Sequence, residues 1–161
     1  YKAQDMECYE GATMIKTFRG LMADGTQDTI VLHTNDGSTG YRIVKFQIMP
    51  RKMGTEKIES QMKIYKIEQT SVDSVVDFSD QTLLGAAYIE NDASNFYIGV
   101  PLSVIFDREV FNQDIYITHD DVGGSSVACN YYIELEQVKL DMGENTVATL
   151  KDIRNTKTQG F

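Results

Sequence analysis

Thr29-Ile30-Val31-Leu32-His33-Thr34, Asn35-Asp36-Gly37-Ser38 and Tyr41-Arg42-Ile43-Val44-Lys45-Phe46-Gln47-Ile48 read together as two strands and the turn that joins them. Asp36-Gly37 supplies the positive φ that a tight hairpin turn requires. Along the second strand, Val44, Phe46 and Ile48 are expected to face one way and Ile43, Lys45 and Gln47 the other, because successive side chains alternate across a sheet. Working outward, short apolar alternations separated by turn chemistry recur every ~10–20 residues, which marks an antiparallel β domain rather than a repeat of strand and helix.

Further strands are expected at 61–68, Phe96 to Val100, Ser103 to Phe106, Asp114 to Thr118, Tyr131 to Leu140 and Thr146 to Leu150. Two of these slip phase. Met62 and Ile64 give way to Tyr65 and Ile67, and the apolar set in Tyr131 to Leu140 moves from odd to even positions around Gln137, so a bulge is expected in each. Pro50 closes one strand and Pro101 interrupts another, leaving strand interiors free of proline. Helix is weakly signalled. Residues 79–89, with Ser79 as a cap ahead of Leu83, Leu84, Ala86 and Ala87, fit one short helix. The reading is an all-β, mainly antiparallel domain over 1–161, a β-sandwich or jelly-roll-like barrel with at most one or two short helices and extended arms at 1–12 and 152–161.

At 161 residues the chain can bury roughly 68–70% of its unfolded surface and so build a core unaided. No stretch approaches the ~18 consecutive apolar residues of a membrane-spanning helix, and no membrane partner is expected. The net charge of −9 argues against nucleic acid, whose binding gains affinity from an excess of Lys and Arg. Charge is uneven along the chain. Lys45, Arg51, Lys52, Lys57, Lys63 and Lys66 face only Glu56 and Glu59 within 45–66, whereas 107–144 is dominated by carboxylates, so opposite patches are expected to steer copies of the chain or a charged scaffold. The alternative is two ordinary solvated faces. Cys8 and Cys129 allow one disulfide or two buried thiols.

Chemistry is sparse. His33 and His119 are the only histidines, no Gly-x-Ser-x-Gly elbow or phosphate-binding glycine loop is present, and Cys8, His33, His119 and Cys129 are too scattered in sequence to suggest zinc. No catalytic, cofactor-binding or metal-ligating residue is assigned, and the chain is expected not to be an enzyme. His119-Asp120-Asp121-Val122-Gly123-Gly124-Ser125 reads as a hydrated hairpin loop with glycines at positive φ, or as a calcium-binding loop contributed by Asp120 and Asp121. Asp24-Gly25-Thr26-Gln27-Asp28 and Asn91-Asp92-Ala93-Ser94-Asn95 read the same way. Tyr41, Phe46, Tyr65, Tyr88, Tyr97, Tyr131 and Tyr132 serve strands and core, or form a glycan- or peptide-binding platform. Glu134 and Glu136 share a strand face ~7 Å apart, a solvated pair or, less economically, a glycosidase-like one.

Three stretches carry a resemblance. Val104-Ile105-Phe106-Asp107 with 110–118, then 129–136, then 146–155 resemble small β-rich virion structural proteins of marine tailed bacteriophages, of the capsid-decoration kind. The resemblance implies a multi-copy, non-enzymatic capsid decoration or cement protein on the virion exterior. Its implied partners are the major capsid protein or other virion proteins and further copies of itself. A tail or neck component and an extracellular calcium- or glycan-binding β module are the alternatives.

Overall fold

The structure, a computed structural model, describes residues 13–92, 97–99, 101–141, 143 and 149. Its strands are β1 (Ile15–Met22), β2 (Gln27–Ile30), β3 (Thr39–Pro50), β4 (Ile58–Tyr65), β5 (Leu83–Asp92), β6 (Tyr97–Ile98), β7 (Leu102–Ile105), β8 (Ile115–Asp121) and β9 (Cys129–Lys139). They form a three-stranded sheet, β1-β9-β3, and a six-stranded sheet, β2-β8-β4-β5-β6, with β7 also paired to β5. Every pairing is antiparallel. The fold is therefore all-β and sandwich-like. Phe46, Ile43, Ile133 and Leu135 of the first sheet meet Met62, Ile64, Ile115 and Ile117 of the second in one buried cluster. Both expected arms, 1–12 and 152–161, lie outside the described residues, as does Cys8. So does nearly all of the strand expected at Thr146 to Leu150, whose described residue, Thr149, is helical.

The hairpin expected around Asn35-Asp36-Gly37-Ser38 is a corner between the two sheets. β2 pairs with β8 and β3 with β9, so the two strands never touch as a ladder. The turn itself forms. Gly37 has φ 65°, and Asp36 accepts hydrogen bonds from the Ser38 backbone (3.0 Å) and hydroxyl (2.8 Å). What redirects the chain is Asp114, whose Oδ1 accepts the N–H groups of Leu32 (2.9 Å) and His33 (3.0 Å). Those two groups cannot then pair with β3, and β2 ends at Ile30.

The helix expected at 79–89 is also overturned. Asp80 turns the chain by accepting from the Thr82 backbone and hydroxyl, and Leu83–Asp92 then runs as β5 between β4 and β7. Leu83, Leu84, Ala86 and Ala87 are all buried, so both strand faces are covered, and a continuous apolar run is what such a strand needs.

One phase slip is a true irregularity. The β4–β5 register shifts between Ile64 and Tyr65, although the unmatched residue is Leu84 on β5. The other is not. β9 keeps its register through Gln137, and the bulge belongs instead to β3, where Val44 stands between Ile43↔Leu135 and Lys45↔Glu134. That extra residue moves the inward positions from Tyr41 and Ile43 to Phe46 and Ile48, so Val44 does not share the face of Phe46.

Strand direction assigns each loop to an end of the sandwich. Loops 23–26, 51–57 and 122–128 close one end, and loops 31–38, 66–82 and 106–114 close the other.

Candidate functional site

Sequence reasoning left His33, His119, Cys129 and the carboxylates as the groups capable of chemistry. The fold brings two of them together with a residue that sequence did not single out, Ser60. Neighbouring inward positions on β8, β4 and β9 place His119, Ser60 and Cys129 in the core, each 0% exposed. The His119 Nδ1 lies 3.1 Å from the carbonyls of both Met22 and Ala23, which can only accept, so Nδ1 carries the proton and Nε2 faces the Ser60 hydroxyl at 3.2 Å. Burial pushes the Cys129 thiol up to about 12, overriding its hydrogen bonds to Ser60 and the Met49 backbone, so it is a thiol and not a nucleophilic thiolate at neutral pH. The cluster ties β1, β4, β8 and β9 to one another. It has a serine and a histidine but neither an orienting carboxylate on Nδ1 nor an opening for substrate.

The loop after β8 is built around Asp121. Its Oδ1 accepts the N–H groups of Glu59 (3.1 Å) and Gly123 (2.9 Å), and its Oδ2 accepts that of Val127 (2.8 Å). Asp24 in turn accepts the Asp121 N–H at 2.7 Å. The expected loop at 119–125 is thus corrected at its start: residues 119–121 are strand, with His119 and Asp121 buried. Gly124 takes the positive φ (94°), but Gly123 serves close approach, since a Cβ there would lie 2.9 Å from the Lys57 carbonyl and the Glu59 nitrogen. Among the described residues, no three of His, Cys, Asp and Glu gather to hold a metal ion. Burial, then the charge of Asp24, raises the Asp120 carboxyl above its ordinary value.

The other candidates are dispersed. Tyr41, Tyr65, Tyr131 and Phe46 are buried, so no aromatic platform joins them to Tyr132 on the outer face of β9, and the Tyr97 side chain lies outside the described residues. Glu136 pairs with Arg42, and Glu134 accepts from the Tyr132 hydroxyl at 2.8 Å while standing opposite Lys45. His33 is exposed and bonded to Asp114 at the far end from His119. A groove of about 320 Å³ runs along the seam of β3 and β7, between Met49, Leu102 and Tyr132.

Within the loops, charge differs between the two ends of the sandwich. The cation-rich segment 45–66 is partly consumed internally: Lys63 donates to Asp73 (2.8 Å) and the Val75 carbonyl (2.6 Å), and Lys66 donates to Glu109 (2.9 Å). Both lysines are buried. At the 51–57 end, Arg51, Lys52 and Lys57 remain exposed beside Met53 and Val122. The opposite end presents Glu68, Asp77 and Asp107 to solvent with Phe78, while Asp73 and Val75 lie on the part of the 66–82 loop that Lys63 straps over β4. No protein-family model, curated protein or solved structure matches the chain.

Proposed function

We propose that the chain is a non-enzymatic virion structural protein, present in many copies on the capsid exterior and docked as a decoration protein on the major capsid protein. One observation carries the reading. The core groups able to do chemistry are used to hold the sandwich together, whereas exposed apolar side chains stand on the end loops (Met53, Phe78, Val122) and on the outer faces of β1, β3 and β7 (Leu21, Met49, Leu102). Ser60, His119 and Cys129 are sealed in the core, and Asp121, Lys63 and Lys66 are bonded within the chain. A surface with this character recognises other macromolecules by shape and charge. The resemblance of 104–118 and 129–136 to virion proteins points in the same direction.

A mass-spectrometric inventory of purified particles tests the proposal. The expected result is a copy number on the scale of the major capsid protein. A few copies per particle would move the protein to the tail or neck, and its absence would overturn the reading.

A further inference from the structure

The loops that close the two ends alternate along the chain, so their charge polarity emerges only in the folded molecule. At one end, loops 23–26, 51–57 and 122–128 hold Arg51, Lys52 and Lys57 against Asp24 and Glu56. Asp24 is occupied by the Asp121 N–H, and Glu56 lies 3.5 Å from Lys52. At the other end, loops 31–38, 66–82 and 106–114 hold Asp36, Glu68, Asp73, Asp77, Asp80, Asp107, Glu109 and Asp114 against Lys66, Arg108 and His33. Lys66 is buried against Glu109, which leaves Arg108 and His33 as the exposed basic side chains of these loops against the carboxylates.

Each end also exposes large apolar side chains. Met53 is 40% and Val122 50% exposed at the cationic end, and Phe78 is 55% exposed at the anionic one, while Val75, 64% exposed, sits on the strap that Lys63 holds over β4. Phe78 is set by an edge-on contact with Phe106, at 5.6 Å between ring centroids. Apolar side chains ringed by opposite charge on opposite ends are the two halves of a head-to-tail contact.

We propose that the chain self-associates head to tail along its strand axis, the Arg51, Lys52 and Lys57 end of one copy seating on the Phe78, Glu68 and Asp107 end of the next. The occupant of each end is thus a second copy of this chain. A net charge of −9 opposes contact between copies in most orientations, and this orientation sets the Arg51, Lys52 and Lys57 cations on carboxylates. Because the two surfaces differ, the contact is heterologous and produces a ring or an open stack rather than a closed two-fold dimer. The proposal concerns the purified protein and stands or falls separately from its place in a virion.

Sedimentation velocity on the full chain across a concentration series decides it. Species larger than a dimer are expected to grow with concentration at low ionic strength, and to weaken by about tenfold or more between about 0.05 and 0.5 M salt as the charges are screened. R51E/K52E and E68K/D107K, all at exposed loop positions, are each expected to abolish association alone and to restore it when mixed. A monomer at every concentration overturns the proposal, as does a dimer indifferent to salt and to both variants.

Discussion

Asp121 illustrates how a residue with the look of a ligand becomes structural. Its two oxygens accept three backbone N–H groups, one from β4 and two from the 122–128 loop, and it is 7% exposed. Asp121→Ala strands those donors in a buried site, and the expected loss is about 3 kcal/mol in denaturant unfolding, since a buried donor left unmade costs about 1–3 kcal/mol. With these oxygens already occupied, the melting temperature is expected to be the same with calcium as with chelator. A calcium-dependent rise would show that 119–125 rearranges to bind. Gly123→Ala drives a methyl against backbone atoms of 57–59 that no rotamer change can move, and a loss of about 1–3 kcal/mol is expected. Gly124→Ala differs in kind, because nothing lies within 4 Å of its Cβ position and the cost there is the positive φ alone. Sequence identified the glycines as a turn, but only the fold distinguishes close approach from left-handed backbone.

At the level of elements, local signals were legible and partners were not. Asn35-Asp36-Gly37-Ser38 makes the turn its residues encode. The strands on either side go to different sheets because Asp114, distant in sequence, takes the N–H groups of Leu32 and His33. The irregularity at Ile64 and Tyr65 could be read because the apolar residues change phase there, from Met62 and Ile64 to Tyr65 and Ile67. The Val44 bulge could not, since Val44, Phe46 and Ile48 alternate cleanly as written. The 66–82 loop is a further element that composition alone does not define, a strap fastened over β4 by Lys63. Burial opposes the Lys63 charge, but its bond to Asp73 and the nearby Tyr65 outweigh that and raise its pKa. The same bond lowers Asp73. Stability from Asp73 is present above the unfolded carboxylate pKa of about 3.9 and is lost as pH falls through the lower folded value. Stability from Lys63 is present below its unfolded pKa of about 10.4 and is lost as pH rises through the higher folded value. The strap is therefore expected to be best protected between these limits, and Asp73→Asn to speed amide exchange in 68–82 at neutral pH while leaving β4 protected. Asp120 of β8, itself raised in part by Asp73, is the facing carboxylate whose repulsion this variant relieves. Unchanged exchange in the strap would show that the Gln27 and Gln69 bonds, at 2.8 and 3.1 Å, suffice to hold it.

Across the whole molecule the two sheets share one core, and Cys129 sits inside it as a reporter. Its thiol is fully buried and raised to about 12, so it is doubly protected from alkylation, by access and by protonation. If the sandwich opens only as a unit, labelling of Cys129 in a C8S background requires global unfolding, and its rate follows the equilibrium population of the open state. Phe46, 2% exposed on the opposite side of the Val44 bulge from Ile43, then supplies the test. Phe46→Ala should cost about 3–5 kcal/mol, and every 1.4 kcal/mol is a factor of ten, so Cys129 labelling should accelerate by roughly 100-fold to several thousand-fold. A rate unmoved by Phe46→Ala would mean that the end carrying Ser60, His119 and Cys129 opens locally. The polar cluster would then reach solvent without unfolding the sandwich, which would undercut its reading as a sealed, purely structural tie.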